Sequence, residues 1–234
     1  SRSRKQDYAP EIESSRIQEE LFRQQVLVDL APQDSNKGMK VFFAKGSSIP
    51  TTLLELGRLR ELTFWDAGEG TGLDRDLDQF DPHYWHLIAW DKRSSRIAGA
   101  YRIGKSDEIL KEQGIEGLYT ASFLDYTKIL DSKLRMKLEI GRSFVIKEYQ
   151  RSFALVALFQ GLGQVLVQEP QYEGFFGVVS ISDEYRDLSK ELMMRWSQKH
   201  MSGPESNQVK AKAPPRFHHL LSEEQIQILL NQLF

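Results

Sequence analysis

The sequence predicts a mixed α/β domain, and two observations carry that prediction. Apolar runs at 85–90 and 96–103 are separated by a short polar stretch, which is typical of an antiparallel hairpin. Two further runs of strand type, at 137–146 and 174–182, are separated by a long apolar segment at 150–168, which fits a crossover helix between parallel strands. A sheet with both kinds of connection and helices between its strands is a mixed α/β sheet.

The composition narrows the class of protein. The chain has 234 residues, 40% of them hydrophobic and 27% charged, which fits one large folded domain with extensions. Its formal net charge of -2 disfavours a basic nucleic-acid-binding protein, and the absence of Cys excludes disulfides and Cys-based zinc sites. The longest apolar run, 153–159, is far shorter than the roughly 20 residues of a membrane span. We therefore expect a cytoplasmic protein with no nucleic-acid partner.

The N-terminal part predicts an arm, two helices and a strand. Residues 1–13 are polar and indicate a mobile arm, and the spacing of apolar residues predicts a helix over 14–30. We expect a strand at 40–44 and a second helix from Pro50 to about Trp65. Because the chain begins with Ser rather than Met, we also expect natural residues upstream of it.

A polar loop follows the second helix. Residues 67–81 hold three Gly and four Asp, a composition that no regular element favours. Long polar loops inside a compact domain are usually functional or disordered. Asp74, Asp76 and Asp78 alternate, but the loop lacks the Gly and the distal Glu of a calcium-binding EF-hand. We expect these carboxylates to be solvated and predict no metal site.

The C-terminal half predicts further helices and a linker. A short helix is expected at 122–132. The segment 150–168 is apolar nearly all round, so we expect a helix that is buried on most sides. An amphipathic helix at 184–199 precedes a linker at 202–215 and a last short helix at 220–234.

Two strands carry charged residues that need an explanation. Arg102 lies in an otherwise apolar strand, and Glu139 and Arg142 lie in another that contains Gly141. Since side chains alternate along a strand, Glu139 and Gly141 share a face, and Arg142 points to the other face unless a bulge at the glycine re-aims it. Buried charges are costly unless they are paired or used. The residues alone leave two alternatives open, which are internal ion pairs among these three side chains and a functional site.

Separated segments of the chain resemble a known family. They are LRELTFWDAGEGTGLDRDLDQFDPHYWHLIAW, GAYRIG, LEIGRSFV and a following YQ. In this order they resemble the GNAT-like N-acyltransferases described as hemolysin-like, which include ornithine-lipid and glycine-lipid synthases. They are more loosely similar to acyl-homoserine lactone synthases. The resemblance covers roughly residues 40–200. It implies a GNAT-like mixed sheet, flanked by helices, whose central parallel strands 137–146 and 174–182 splay apart.

The resemblance also implies an activity. In these families a fatty acyl group, here expected to be 3-hydroxyacyl, passes from an acyl carrier protein thioester to the α-amine of an amino acid, as a step in aminolipid synthesis. Glu139 would be the general base, and Arg102 and Arg142 would be catalytic residues that hold the acceptor carboxylate or pair with acids. Backbone N–H groups near 144–146 would stabilise the thioester oxyanion.

Further residues are assigned roles by the same resemblance. The substrate-binding residues would be Arg60, Phe64, Asp78, Asp81, Ser143 and Phe144. An acyl tunnel would be lined by Phe64, Trp65, Tyr84, Trp85 and Phe123, unless these aromatic side chains are ordinary core.

The expected donor follows from a departure from the acetyl-CoA enzymes. Those enzymes have a Q/R-x-x-G-x-G/A turn whose backbone N–H groups hold the CoA pyrophosphate at a helix N-terminus. The matching stretch here begins at Gln150, and Phe153 and Leu155 occupy the glycine positions. Bulky side chains there argue for acyl carrier protein, with acyl-phosphopantetheine as substrate and no separate cofactor. The acidic carrier would dock on Lys147, Arg151 and Arg135.

Other interpretations stay open at this point. The shared motifs also permit an autoinducer-type lactone synthase or a non-catalytic module that binds acyl groups or their carrier. A lipid product implies contact with the inner membrane surface, which 14–30 and 220–234 could provide. We expect an N-terminal arm and helix at 1–38, an acyltransferase domain at 39–201 and a linker with a helix at 202–234. Long family members continue past a similar stretch, which leaves open whether further strands or a fused acyltransferase domain accompany this chain.

Overall fold

A computed structural model describes most of the chain. The described residues are 8–31, 38–127, 131–182, 184–203, 206–213, 222, 224–226 and 228–229. The helices are α1 (Ser14–Leu21), α2 (Pro50–Asp66), α3 (Ser106–Glu112), α4 (Asp131–Arg135), α5 (Ala154–Gln168) and α6 (Asp187–His200). The strands are β1 (Gln25–Asp29), β2 (Met39–Lys45), β3 (Trp85–Asp91), β4 (Arg96–Lys105), β5 (Leu124–Asp125), β6 (Lys137–Val145), β7 (Gly174–Phe176) and β8 (Lys210–Ala211).

The main sheet has six strands in the order β1-β2-β3-β4-β6-β7. All neighbours in it are antiparallel except β6 and β7, which are parallel and are connected through α5. The predicted hairpin is β3-β4, with Trp85 opposite Ile103. The two-residue strands β5 and β8 form a separate small sheet.

The sheet separates two hydrophobic clusters because its side chains alternate between faces. On the α2 side, Ile88 and Trp90 pack with Leu56 of that helix. On the α5 side, Leu87 and Ala89 pack with helix residues that include Leu158. The α2 side therefore lies beneath the polar loop that follows α2, and the α5 side lies beneath the crossover helix.

The parallel strands β6 and β7 separate after three residue pairs. Lys137 pairs with Gly174, and the pairing ends where Glu139 meets Phe176. A Cβ atom on Gly177 would overlap the carbonyl oxygen of Ile140, so the chain leaves the sheet in close contact with β6. The predicted strand at 174–182 is thus confirmed only over its first three residues, and the remaining length of β6 has a free edge at the predicted splay.

The N-terminal predictions were only partly correct. The helix predicted over 14–30 ends at Leu21, and Gln25–Asp29 instead forms the edge strand β1 against β2. The buried side chains Ile17 and Leu21 pack in the α2-side cluster, so the apolar face of α1 is buried within the domain. The start of the predicted arm lies outside the described residues.

The described part of the arm is anchored. Residues 8–13 lie against the domain, because Ala9 donates to the Asp74 carbonyl and the Ile12 amide donates to Glu55. Beside them, α2 begins at Pro50 as predicted. The carboxylate of Glu20 accepts hydrogen bonds from the Thr51 and Thr52 amides at 2.9 and 2.7 Å.

The C-terminal half differs from prediction in its helices. In place of a helix at 122–132 there are a helical turn at Tyr119–Ser122, the strand β5 and the short helix α4. The crossover helix α5 buries only one face, and Val156, Phe159 and Val167 on its other face are exposed. Periodicity could not reveal this, because an all-apolar helix has no polar face to mark the solvent side.

The amphipathic helix predicted at 184–199 is confirmed as α6, whereas the linker contains β8. Most of the helix predicted at 220–234 lies outside the described residues, and residues 224–226 and 228–229 are helical. In the described ranges, each helix is too short or too polar to cross a membrane.

Candidate active site

The candidate site lies on the α2 side of the sheet, where β4 meets β6. Arg102 pairs with Gly141, and Gly104 pairs with Glu139. Directly opposite residues of an antiparallel pair face the same side, so Arg102 and Glu139 project towards the loop after α2. Both residues are 2% exposed.

A bulge in β6 brings Arg142 to the same face. The register moves from Ala100 opposite Phe144 to Arg102 opposite Gly141, so β6 contains one extra residue. Arg142 has a φ of 49°, the left-handed conformation that a bulge commonly requires. The predicted bulge is therefore confirmed, and the residue that adopts the unusual backbone is Arg142 next to Gly141.

Arg60 and Arg102 bind the same aspartate. Arg60, from α2, makes two hydrogen bonds of 2.9 Å to the Asp81 carboxylate and also donates to the Asp76 carbonyl. Arg102 lies 3.2 Å from Asp81 and donates to Asp78 at 2.6 Å. Burial opposes ionisation of Asp81, but the charges of Arg60 and Arg102 prevail and hold its pKa well below the usual range.

Arg142 extends this network to two further carboxylates. It lies 3.2 Å from Asp76 and 3.5 Å from Asp78. Asp76 is 2% exposed, and its burial outweighs the attraction of Arg60 and Arg142, so its pKa is raised. The prediction that the alternating aspartates of this loop are solvated was thus wrong for Asp76, because Arg60 and Arg142 beneath the loop draw this side chain inward.

Glu139 is held by neutral donors rather than by arginine. Its carboxylate accepts hydrogen bonds from the Tyr84 hydroxyl, from the Tyr119 amide at 3.1 Å and from the Thr120 amide at 2.6 Å. None of the ion pairs among the described residues includes Glu139, so the alternative of ion pairs among all three strand charges is wrong for this residue. Burial, followed by the charge of Glu139, raises the pKa of Tyr84 far above its ordinary value.

Two arginines beside an aromatic ring each have a nitrogen without an acceptor among the described residues. Arg102 Nη2 and Arg142 Nε are buried and find no hydrogen-bond acceptor among the described residues. The guanidinium carbons of Arg102 and Arg142 lie 4.7 and 5.2 Å from the centre of the Tyr119 ring. Buried polar groups are nearly always satisfied, so these donors are expected to receive an anionic group.

Two acceptors in the same network are also incompletely used. Asp76 Oδ2 and Asp78 Oδ2 are buried and accept no well-aligned hydrogen bond from the described residues. Both oxygens nevertheless face Arg142, at 3.2 Å and 3.5 Å, so each is an ion-pair partner that lacks a well-aligned hydrogen bond. The unsatisfied donors of Arg102 and Arg142 are therefore the groups best suited to a ligand, and they suit a carboxylate.

The sequence analysis missed several members of the site. His86 faces Arg102 across the β3-β4 pair, and its Nε2 lies 3.0 Å from the Asp81 carbonyl. Its burial lowers its pKa to about 4, so the ring is neutral near pH 7. Hairpin register would have placed His86 beside Arg102. By contrast, Tyr119 and Thr120 lie in a turn that carries no sequence signal for this role.

Several predicted substrate-binding residues lie elsewhere. Ser143 is exposed and interacts with Tyr101, which lies on the α5 side. Phe144 is buried in the α2-side cluster, and Phe64 packs against that cluster. These aromatic side chains serve the core, which explains why the sequence patterns alone could not separate them from the site.

The proposed aromatic tunnel is not formed by the predicted residues. Trp85 stacks on Phe43, and Phe123 is 47% exposed and contacts Tyr119. Tyr84 is bound to Glu139. The five aromatic side chains thus fall on different faces of the sheet and do not line one channel.

The free edge of β6 supplies a backbone donor at the splay. The Ile146 amide donates to the Ala98 carbonyl at 3.0 Å and is therefore unavailable to a ligand. Because N–H groups alternate in direction along an antiparallel strand, the Val145 amide points towards the β7 edge. Of the residues predicted for the oxyanion, Val145 is the one whose amide faces the splay.

The turn before α5 has the bulky side chains that the sequence indicates. Phe153 is 75% exposed and Leu155 is 45% exposed at the start of the helix. The Ser152 hydroxyl accepts a hydrogen bond from the Ala154 amide at 3.1 Å. One of the amides that would hold a pyrophosphate is thus already occupied.

The predicted carrier-docking residues are divided between two places. Lys147 and Arg151 are exposed in the turn that follows β6. Arg135 precedes β6 and is bound to Asp131. The nine residues of β6 separate the two places by about 30 Å. Arg135 therefore lies away from the splay and does not share a surface with the other two.

The comparison with known proteins agrees with this topology. Residues 59–160 match the family model of an acetyltransferase (GNAT) domain, which covers the second half of α2, the polar loop, the hairpin, the bulged strand and the first half of α5. The fold is GNAT-like. The predicted fold class is therefore confirmed.

Two curated proteins are similar to the chain over most of its length. Both are described as glycine N(alpha)-acyltransferase. The protein of Bacteroides thetaiotaomicron is 31% identical over 202 residues, which cover 81% of this chain and 60% of that protein. The protein of Phocaeicola vulgatus is 31% identical over 197 residues, which cover 79% of this chain and 60% of that protein. The chain thus spans about three fifths of the length of these relatives.

A solved structure is more distantly similar. An aminoglycoside acetyltransferase from an uncultured soil metagenomic sample covers 79% of this chain and 99% of its own. The TM-score is 0.41 at 14% sequence identity, which is too low to support an argument about function.

Proposed function

We propose that this chain is an N-acyltransferase that moves a 3-hydroxyfatty acyl group from an acyl carrier protein thioester to the α-amine of an amino acid. Glycine is the first acceptor to test, because both curated relatives are described as glycine N(alpha)-acyltransferases. The product would be an N-acyl amino acid, the amide-linked part of an aminolipid.

The unsatisfied arginine donors carry this proposal. Arg102 Nη2 and Arg142 Nε can receive a carboxylate, and Asp78, whose Oδ2 lies 3.5 Å from Arg142 without a hydrogen bond, can also receive an ammonium group. An amino acid zwitterion presents both charges a short distance apart. The arginines alone would fit many anions, but the aspartate beside them favours an acceptor that also carries an amine.

The proposed reaction uses two groups of β6. The ammonium group of the acceptor first releases one proton to solvent. The neutral amine attacks the thioester carbonyl carbon, the developing oxyanion accepts the Val145 N–H, and collapse expels the phosphopantetheine thiolate. The amine loses its second proton to Glu139 through a chain of waters, because Glu139 precedes Val145 by about 20 Å of extended strand, and that proton neutralises the thiolate. Among the described residues Oε1 of Glu139 accepts only the Thr120 amide, which leaves this oxygen a lone pair for the proton.

The acyl carrier protein is favoured over CoA by the turn before α5. Exposed Phe153 and Leu155 occupy the positions where a pyrophosphate would approach the backbone, and Ser152 already caps the first amide of the helix. A carrier-bound phosphopantetheine lacks the adenosine diphosphate end, so it needs only the gap between β6 and β7 and no pyrophosphate site. Lys147 and Arg151 lie near this opening and suit an acidic carrier surface.

A donor-by-acceptor assay with mass spectrometry tests the proposal. Purified protein is mixed with 3-hydroxyacyl carrier protein or the matching acyl-CoA, and with glycine, ornithine or pooled amino acids. We expect N-acylglycine from the carrier-protein donor. Faster turnover with acyl-CoA would contradict the donor assignment, an acyl-homoserine lactone product would indicate the synthase alternative, and no amide from any donor would contradict the activity.

Glu139 also stabilises the fold through the hydrogen bonds that it accepts. A test of its catalytic role therefore needs a control variant that disturbs the same hydrogen bonds but keeps the carboxylate. Glu139→Gln removes the carboxylate and should lower kcat by about 10²–10⁴-fold. Tyr84→Phe keeps the carboxylate but removes the hydroxyl that donates to Glu139 and accepts the Tyr119 amide at 2.8 Å, and it should cost about 1–3 kcal/mol of stability with most activity retained. Equal losses of activity in the two variants would show that Glu139 acts through structure alone.

A further inference from the structure

An apolar groove opens beyond the splay, between α6 and the segment that follows β7. Its volume is about 840 Å³. Its apolar lining comes from Val179, Ile181, Tyr185, Leu192, Met193 and Trp196. The other described residues that line it are uncharged as well, namely a methionine, two serines and a glutamine. A groove of this size and polarity lies within the range of small-molecule sites.

The segment after β7 presents alternate side chains to this groove. Ser180 donates to Glu69 of the polar loop at 2.9 Å, and its neighbours Val179 and Ile181 line the groove. This period of two is that of an extended chain. The segment therefore forms a wall with one apolar side, held on its other side by a hydrogen bond to the loop of the candidate site.

The side chains of the groove are more exposed than apolar residues usually are. Val179 is 91% exposed, Tyr185 is 54% exposed and Met193 is 38% exposed. Exposed apolar patches of this kind mark binding surfaces. The lining offers few polar partners, so the occupant should be apolar along its length and should need no hydrogen bonds.

The first residue that lines the groove follows closely in sequence on the residue that lies against β6. Gly177 contacts the Ile140 carbonyl of β6, and Val179 follows two residues later, at about 7 Å of extended chain. An acyl group whose carbonyl carbon lies at the free edge of β6 can thus extend along this segment. We propose that the groove binds the hydrocarbon chain of the acyl donor, an inference that rests on the proposed acyltransferase function.

Two exposed valines provide a matched test. Val179→Trp places an indole in the groove, whereas Val167→Trp alters a residue of α5 that does not line it. Both valines are already exposed, so neither change should prevent folding. The acyl carrier protein donors would be a series of 3-hydroxyacyl chains of eight to sixteen carbons, with glycine as acceptor.

We expect KM for the donor to fall with chain length in the wild type, by at most about fourfold per buried methylene. Val179→Trp should raise KM for the sixteen-carbon donor by about tenfold or more and leave the eight-carbon donor within about twofold. Val167→Trp should follow the wild type. Identical profiles for the two variants, or an equal loss at all lengths, would overturn the groove assignment.

A binding measurement separates this inference from the proposed function. Calorimetric titration with 3-hydroxyhexadecanoic acid should detect binding to the wild type and to Val167→Trp, and binding about tenfold weaker or more in Val179→Trp. This pattern in a protein that forms no amide would support the groove and reject the reaction. Amide formation without any effect of Val179→Trp on chain length or binding would reject the groove alone, and its occupant would then be another part of a longer protein.

Discussion

At the residue scale, the side chain of Arg102 connects the parts of the candidate site. It donates to Asp78, lies 3.2 Å from Asp81 and packs over the ring of Tyr119. A buried arginine of this kind is stable only while its carboxylate partners stay ionised. The low pKa of Asp81 meets that condition at neutral pH. The ion-pair network therefore forms one side of the candidate site and also contributes to the stability of the folded protein.

His86 should make the fold sensitive to acid. Burial lowers its pKa to about 4, compared with about 6.5 in an unfolded chain. The folded protein therefore binds fewer protons, so the contribution of His86 is complete above about pH 6.5 and is lost as pH falls towards 4, by about 3 kcal/mol.

Urea unfolding at several pH values checks this expectation. His86→Gln should flatten the fall in the free energy of unfolding between about pH 6.5 and 4, whatever its effect at neutral pH. His83→Gln, at an exposed histidine of the same region, should keep the wild-type slope. Parallel curves for wild type and His86→Gln would show that His86 does not carry the acid sensitivity.

At the element scale, β6 combines three tasks that a regular strand could not perform together. Its first residues pair with β7, its bulge turns Arg142 towards the acidic loop, and its end presents the Val145 amide to the splay. The bulge is required because Arg142 would otherwise point towards α5. The separation from β7 is required because a paired edge has no free N–H group.

Gly177 should control where the strands separate. A Cβ there would overlap the Ile140 carbonyl, whereas a Cβ on Gly174 would meet no atom within 4 Å. Gly177→Ala should therefore lower the free energy of unfolding by about 1–3 kcal/mol. Gly174→Ala, at the start of β7, should stay within about 0.5 kcal/mol of the wild type in urea unfolding. A similar cost for both substitutions would contradict the close contact with β6.

At the scale of the whole molecule, the charges near the splay differ from those at the other end of β6. Lys147 and Arg151 are exposed beyond the C-terminal end of the strand, whereas Arg135 before its start is bound to Asp131. These two exposed basic side chains would favour an acidic partner at the C-terminal end of β6.

Charge reversal tests this asymmetry. Changing Lys147 and Arg151 together to Glu should lower kcat/KM for an acyl carrier protein donor by about tenfold at low salt, less at high salt. A pantetheine thioester without the carrier should react at the wild-type rate. Arg135→Glu is the control and should leave the carrier reaction unchanged. An equal effect of Arg135→Glu would mean that the carrier does not dock at the splay.

Much of the fold was predictable because local periodicity is strong. The helix from Pro50, the hairpin and the strand with Gly141 all have clear patterns, and the order of these elements indicated the mixed sheet. The segment 25–29 was assigned to a helix because its apolar spacing continued that of α1. Its pairing with β2 could not be seen locally, since an edge strand is stabilised by a partner distant in sequence.

The sequence by itself determined which residue types could form the site, because charges in apolar strands must be paired or used. It named Arg60, Arg102, Glu139 and Arg142, and the tertiary structure decided their partners. Asp76 and the Tyr119 turn join them through contacts that span tens of residues, and these depend on how the loops close over the sheet. Which face of α5 stays exposed was likewise decided only when the helix met the sheet, because burial depends on neighbours that no local pattern specifies.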